Sequence, residues 1–151
     1  MSDWQGRTVT IIGAGIGGLA LAALLRERGI PCEIFEQAPA FARVGSGIQM
    51  SPNAMRVLRA LGLEQQIRAN AFQPDIWDNR DWDTGHSTNR ALLGQQVEER
   101  YGAPYIQMHR GDLHEFLASK VPDQIIRYGK TLAEVADSGD GFRLVFEDGT
   151  D

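Results

Sequence analysis

The sequence predicts an α/β fold built on a βαβ unit close to the N-terminus. A short β-branched stretch leads into a glycine-rich turn and a helix rich in alanine and leucine, and a second short apolar stretch follows. The 151-residue chain has 17 glycines, eight of them within its first 47 residues. Because crossover connections are right-handed, we expect the two strands to be parallel.

Each part of the βαβ unit has its own local signal. Residues 7–12 (RTVTII) are β-branched and predict a buried strand. Residues 16–28 predict a helix that ends at Gly29, and residues 32–36 (CEIFE) predict the second strand. The uncharged run 8–25 has the length of a membrane span, but the four glycines in its middle favour a strand and a helix instead.

The remainder of the chain predicts shorter elements around this unit. We expect a loop at 38–49, helices at 52–61 and 63–71, and strands and turns across the polar and aromatic stretch 73–93. A helical turn is expected at 96–101, an amphipathic helix at 109–120, and short strands at 125–128, 132–135 and 142–146.

These elements suggest three segments. They are a βαβ core with its following helices (1–72), an inserted strand and turn region (73–108), and a helix with a β-meander that returns to the core (109–151). The pair Asp148-Gly149 predicts a hairpin turn whose returning strand is missing. We therefore expect the front part of a longer protein; the alternative is an edge hairpin that ends in a frayed tail.

Composition excludes several kinds of site. The net charge is −5 and the 15 basic residues are scattered, so we expect no nucleic-acid partner. A single cysteine, Cys32, excludes an internal disulfide and a cysteine-based zinc site, and His86, His109 and His114 show no metal-ligand spacing. With no export signal, we expect a cytoplasmic protein without a membrane partner. The oligomeric state stays open.

The motif G-x-G-x-x-G occupies Gly13, Gly15 and Gly18, with a further glycine at Gly17. In this motif the first glycine allows a sharp turn, the second lets the backbone approach a pyrophosphate, and the third lets the helix pack close to the sheet. Glu36 ends the second strand 23 residues after Gly13, near the spacing of a ribose-binding acid. Together they predict a Rossmann-like dinucleotide-binding fold.

The fingerprint leaves the ligand open. A carboxylate at Glu36 favours a free ribose diol and repels a 2′-phosphate, so FAD and NAD remain while NADP is disfavoured. The alternatives are an NAD-dependent dehydrogenase and a non-catalytic nucleotide-binding module. The structural alternative is a glycine-rich turn without a ligand, with Glu36 as a solvated carboxylate at the end of its strand.

Two further stretches of the sequence help to choose between FAD and NAD as the ligand. They are residues 43–53 (RVGSGIQMSPN) and 109–113 (HRGDL). With the glycine motif and Glu36, they resemble the N-terminal part of the FAD-dependent aromatic hydroxylases, which are single-component flavoprotein monooxygenases. Within this family the chain resembles the 6-hydroxynicotinate 3-monooxygenases, and also the 3-hydroxybenzoate 6-hydroxylases and salicylate hydroxylases. The resemblance covers nearly the whole chain.

The resemblance implies a set of residues that contact FAD. The pyrophosphate would lie on the glycine motif, the adenosine ribose on Glu36 and Gln37, and the adenine near Leu132. Arg43 would reach the ribose or pyrophosphate, Gln49 would lie near the flavin ring, and Arg110 would approach the cofactor from the start of its helix. The implied residues are Gly13, Gly15, Gly17, Gly18, Glu36, Gln37, Arg43, Gln49, Arg110 and Leu132.

The resemblance also implies an activity. The whole enzyme would use NADH or NADPH to reduce FAD, and O₂ would form a flavin C4a-hydroperoxide that hydroxylates a small aromatic acid or hydroxypyridine, as in the catabolism of aromatic compounds. The catalytic residues are unknown and are expected beyond residue 151, so this chain alone is not expected to hydroxylate. The pyridine-hydroxylating branch is expected to carry a histidine where this chain has Gln49. We interpret His109 and His114 as structural.

Overall fold

A computed structural model of the chain describes residues 7–42, 45–139 and 141–151. The chain divides into two compact units. The first unit consists of residues up to 43 and from 114 onward, and the second of residues 44–113. We describe each unit by itself.

The first unit contains the βαβ arrangement. Its elements are β1 (Val9–Ile12), α1 (Ile16–Glu27), β2 (Cys32–Glu36), a 3₁₀ turn (Asp123–Ile125), β7 (Ile126–Tyr128), β8 (Leu132–Asp137) and β9 (Phe142–Phe146). Strands β1, β2 and β7 form one sheet in that order, and both pairings are parallel. The predicted parallel βαβ unit is confirmed.

Burial explains why the first unit folds this way. Ile11 and Ile34 point into the core from neighbouring strands, and Leu19 and Ala22 bury one side of α1. These apolar side chains leave water together, which contributes about 25 cal/mol for each Å² of apolar surface buried. The core therefore fixes the end of β1 and the start of α1, where the glycine motif lies.

The antiparallel pair β8–β9 packs an aromatic residue against the parallel sheet. The rings of Phe35 on β2 and Phe146 on β9 stack with centroids 4.7 Å apart. After β9 the chain reverses at Gly149, whose φ is +79°, and the N–H of Phe146 donates to the carbonyl oxygen of Thr150. The predicted turn at Asp148-Gly149 is confirmed.

The second unit combines short helices with two antiparallel strand pairs, β3–β6 and β4–β5. Its elements are β3 (Gly47–Met50), α2 (Pro52–Ala60), α3 (Glu64–Ala69), β4 (Ile76–Arg80), β5 (Ser87–Leu92), α4 (Gln95–Tyr101), β6 (Ile106–His109) and the first residues of α5 (Arg110–Ala118). The remaining residues of α5 belong to the first unit.

Charged side chains link the helices of the second unit. Glu64 on α3 accepts hydrogen bonds from Arg59 on α2 and from Arg68, and Arg68 also pairs with Glu98 on α4. The two arginines lower the pKa of Glu64 to about 2, with the hydrogen bond from Arg59 as the largest cause. This network joins three helices at the surface.

Several predicted boundaries are wrong, and two of them concern segments that contain predicted site residues. Residues 38–49 were expected to be a loop, but residues 47–49 belong to β3. The helix expected from His109 begins at Arg110, because His109 ends β6 and pairs with Gly47. The strand β6 was not predicted. Its pairing partner, β3, lies almost sixty residues earlier in the sequence, so no local pattern predicts this strand.

The two units differ from the three segments suggested by the sequence. Pairing of β3 with β6 places residues 44–72 in the same unit as residues 73–113. The boundaries at 72 and 108 stay a prediction of domain organisation. Within the described ranges, no helix is both long enough and apolar enough to cross a lipid bilayer.

Candidate cofactor site

A sharp turn at Gly13 connects β1 to α1. Gly13 has a φ of +96°, a conformation that side-chain-bearing residues rarely adopt. Its N–H donates to the carbonyl oxygen of Phe35 at 2.7 Å, which ties the turn to the neighbouring strand β2. The turn thus needs glycine here for a backbone reason, as the motif predicts.

Gly18 lets the helix pass very close to this turn. A Cβ added at Gly18 would lie 2.0 Å from the carbonyl oxygen of Gly13 and 3.3 Å from Cγ2 of Ile11. Both neighbours belong to β1 or to the turn that follows it, so neither can move freely. Close packing of α1 against the strand therefore requires glycine at position 18.

The other two glycines of the motif face open space. A Cβ added at Gly15 or Gly17 would meet no atom of the described residues within 4 Å. Gly15 is the N-cap of α1, no side chain caps this end, and the first turn has no acidic residue. A helix N-terminus carries partial positive charge and unsatisfied N–H groups, so it attracts anions. We call the turn and helix start formed by Gly13, Gly15, Gly17 and Gly18 the glycine cradle; its charge and open space fit a pyrophosphate.

Glu36 lies against the same turn. Its carboxylate accepts a hydrogen bond from the N–H of Ala14 at 2.6 Å and another from the N–H of Ala38 at 2.8 Å. A carboxylate has about four acceptor positions, so two remain for other donors such as ribose hydroxyls. The predicted ribose-binding acid therefore lies beside the glycine motif and also holds the turn in place.

His114 contacts this turn from a distant part of the chain. Its ring atom Nε2 lies 2.7 Å from the carbonyl oxygen of Ala14, one hundred residues earlier in sequence. The ring also stacks on Phe41, with centroids 4.7 Å apart and an angle of 18° between the rings. The sequence indicated only that His114 is structural, and no local signal connects it with Ala14.

Three further residues of the first unit are Gln37, Tyr128 and Leu132, of which Gln37 and Leu132 are predicted site residues. Gln37 is exposed directly after the strand. Tyr128 on β7 pairs with Glu36 in the parallel register, and burial raises the pKa of the Tyr128 phenol, with smaller contributions from Asp123 and Glu36. Leu132 is half-buried at the start of β8.

The second unit holds two further predicted site residues. Gln49 is exposed on β3, and Arg110 begins α5 with its N–H bonded to the carbonyl oxygen of Ser46 at 2.8 Å. A Cβ added at Gly45, whose φ is +144°, would lie 2.9 Å from Cβ of Arg110. Gly45 thus makes room for the Arg110 side chain. Arg43, the remaining predicted residue, lies outside the described residues.

The arrangement in the first unit suits the binding of an anion next to a diol. The N–H groups and dipole at the start of α1 favour phosphate oxygens, and Glu36 offers acceptors to hydroxyl groups. In the described part of the chain, no cluster of His, Cys, Asp or Glu could hold a metal ion. The geometry matches a nucleotide with free ribose hydroxyls.

Comparison with known proteins distinguishes between the two ligands that the fingerprint leaves open, FAD and NAD. The model of a family described as "FAD binding domain" matches residues 7–132. The 6-hydroxynicotinate 3-monooxygenase of Pseudomonas fluorescens is 40% identical over 146 residues. The 3-amino-4-hydroxybenzoate 2-monooxygenase of Streptomyces cremeus is 44% identical over 142 residues. These matches cover 97% and 94% of this chain, but only 38% and 36% of the two relatives.

A solved structure shows the same fold. HpxO of Klebsiella pneumoniae, crystallised with FAD and uric acid, superposes with a TM-score of 0.81 at 24% identity, over 97% of this chain and 37% of that protein. The family match favours FAD over NAD, and it agrees with the resemblance inferred from the motifs. This chain therefore belongs to the FAD binding domain family, and the two relatives that it resembles at 40% and 44% identity are monooxygenases.

Proposed function

We propose that this chain forms the FAD-binding part of a monooxygenase that hydroxylates a small aromatic acid or a hydroxypyridine. The observation that carries the proposal is the glycine cradle, in which Gly18 packs against Gly13 while the uncapped start of α1 stays open. The activities of the two relatives, on a hydroxynicotinate and on an aminohydroxybenzoate, support the substrate class. NADH or NADPH would be the reductant and O₂ the oxidant.

The residues of the first unit would hold the ADP half of the cofactor. Gly13, Gly15, Gly17 and Gly18 form the cradle, in which the pyrophosphate would accept hydrogen bonds from the exposed N–H groups. The free acceptor positions of Glu36 would bind the ribose hydroxyls, with exposed Gln37 beside it. Half-buried Leu132 would contact the adenine. Each of these roles is a proposal that the local geometry supports.

The family resemblance assigns two residues of the second unit to cofactor binding, and each role is a proposal in its own right. Arg110 would contribute a cation toward the cofactor, and the space left by Gly45 supports a defined position for its side chain. Exposed Gln49 would lie near the flavin ring. An amide there neither takes up nor releases a proton near neutral pH, so we propose no acid or base role for Gln49.

When bound, the flavin supplies the redox chemistry and the activation of O₂. The part that this chain plays is to bind and orient. The cradle would fix the phosphates and Glu36 would fix the ribose. Together they would hold the ADP half of the cofactor in one orientation. Exclusion of water and the recognition of the aromatic ring are proposed to depend on other parts of the natural protein.

An FAD titration of the protein at its natural length tests the cofactor assignment. Flavin fluorescence would be followed with wild-type protein, with Glu36→Ala, and with NAD⁺ added as a competitor. We expect saturable FAD binding, a loss of about ten- to a hundredfold in affinity for Glu36→Ala, and no competition by NAD⁺. Competition by NAD⁺ at comparable concentration would contradict the proposal.

The reaction needs a separate experiment. The protein would be incubated with NADH or NADPH and isotopically labelled O₂, together with panels of hydroxybenzoates and hydroxypyridines. We expect reductant consumption to depend on one class of aromatic compound, and one labelled oxygen atom to enter the product. Reductant consumption with no labelled product from any compound would contradict the hydroxylase assignment.

A further inference from the structure

His114 fixes the orientation of a peptide group inside the glycine cradle. Its Nε2 atom lies 2.7 Å from the carbonyl oxygen of Ala14. A carbonyl oxygen only accepts, so the ring nitrogen must carry the proton and donate it. His114 is therefore a donor to the turn, with a proton on Nε2.

The peptide group concerned also contains the N–H of Gly15. In a trans peptide the C=O of one residue and the N–H of the next point in opposite directions within a plane. By holding the carbonyl of Ala14, His114 turns the N–H of Gly15 away from its own ring. Gly15 is the N-cap of α1, and a Cβ added there would meet no described atom within 4 Å, which leaves room beside this N–H for the proposed pyrophosphate.

Ala14 is held on both sides. Its N–H donates to the Glu36 carboxylate at 2.6 Å, which fixes the preceding peptide group, and the residue as a whole is 5% exposed. His114 in turn is held by its stacking on Phe41. Two side chains far apart in sequence thus fix two successive peptide groups of the turn, and only one of them, Glu36, is part of the predicted fingerprint.

We propose that His114 is a positioning residue for FAD binding: it donates a hydrogen bond to Ala14 and thereby aims the N–H of Gly15 at the cofactor pyrophosphate. The inference rests on the proposed function. His114 need not touch the cofactor, and its effect on the phosphates passes through the backbone.

Substitutions at position 114 test this role in the natural-length protein. His114→Leu removes the donor, whereas His114→Gln keeps an N–H at a similar distance from the backbone. We expect FAD affinity to fall by about tenfold in His114→Leu, the fold-change of roughly one hydrogen bond, and to stay within about threefold of wild type in His114→Gln. His86→Gln is the matched control, since His86 lies in the exposed turn between β4 and β5.

A second measurement separates positioning from general stability. Phosphorus NMR of FAD bound at saturation reports the surroundings of the two phosphates directly. We expect shifted resonances in His114→Leu, wild-type resonances in His114→Gln, and no change in His86→Gln. If His114→Leu does not fold, the comparison of His114→Gln with wild type decides, and a tenfold or greater loss of affinity in the glutamine variant overturns the proposal.

The outcomes distinguish a failure of the positioning role of His114 from a failure of the proposed function. A wild-type protein that binds no FAD overturns the proposed function and this inference together. A wild-type protein that binds FAD, with unchanged affinity and unchanged phosphorus resonances in His114→Leu, overturns the inference alone. A loss of unfolding stability without a shift of those resonances also overturns it.

Discussion

Substitution of Gly18 by alanine tests the packing that forms the cradle. The added Cβ would lie 2.0 Å from the carbonyl oxygen of Gly13, whereas carbon and oxygen atoms ordinarily approach to about 3.3 Å. The start of α1 would therefore have to move by roughly 1.3 Å, because the obstructing atom is backbone of a turn that is itself bonded to β2. We expect Gly18→Ala to destabilise the protein by about 1–3 kcal/mol.

Urea unfolding of the apoprotein measures this effect. A loss of about 2 kcal/mol lowers the midpoint by roughly 1 M for an ordinary dependence on denaturant. FAD affinity should fall as well, because the moved helix no longer presents its N–H groups to the phosphates in the same geometry.

Gly17→Ala is the matched control for stability. It places the same methyl group one residue earlier, where no described atom lies within 4 Å. Alanine also favours helix over glycine, so the midpoint should stay the same or rise slightly. Equal midpoints for Gly18→Ala and Gly17→Ala would refute the close approach at position 18. The FAD affinity of Gly17→Ala would show separately whether the cofactor needs the open surface there.

Three further predictions concern other parts of the chain. The lowered pKa of Glu64 means that its ion pairs stabilise the fold above about pH 4.5 and lose that effect as the pH falls toward 2. Glu64→Gln should therefore lower the urea midpoint by roughly 0.3 M at pH 7 and by less at pH 3.5. An equal lowering of the midpoint at both pH values would contradict this prediction. Gly45→Ala should lower the midpoint by strain at positive φ and by collision with Arg110, whereas Gly47→Ala, with no described atom within 4 Å, should not. Burial raises the pKa of the Cys32 thiol, so its alkylation at pH 8 should be at least about tenfold slower in the native protein than in urea, and equal rates would refute its burial.

The sequence predicts the first unit well where the signals are local. Residues 32–36 carry their own strand pattern, and Gly29 marks the end of α1 with a φ of +68°. Parallel pairing of β1 with β2 follows from the helical crossover between them once both strands are recognised. The glycine motif and the spacing to Glu36 place both at the same turn, as the structure does.

Long-range pairing is what the sequence does not show. Strand β6 (Ile106–His109) forms because β3 offers it a partner, and the contact of His114 with Ala14 depends on how α5 meets the first turn of the chain. No periodicity or residue spacing in the sequence predicts either the strand β6 or the contact between His114 and Ala14. The predicted roles of Gln37, Gln49 and Leu132 come from the resemblance alone and stay predictions.

The two hydrogen bonds of the Glu36 carboxylate have a consequence for how tightly a cofactor can bind. Since they already hold the turn, the conformational entropy of ordering it is lost when the protein folds and not again when a ligand arrives. The site is preorganised by its own acidic side chain. Affinity there would depend on rigidity as well as on contacts, and a variant that only loosens the turn would weaken binding without removing any atom that touches the ligand.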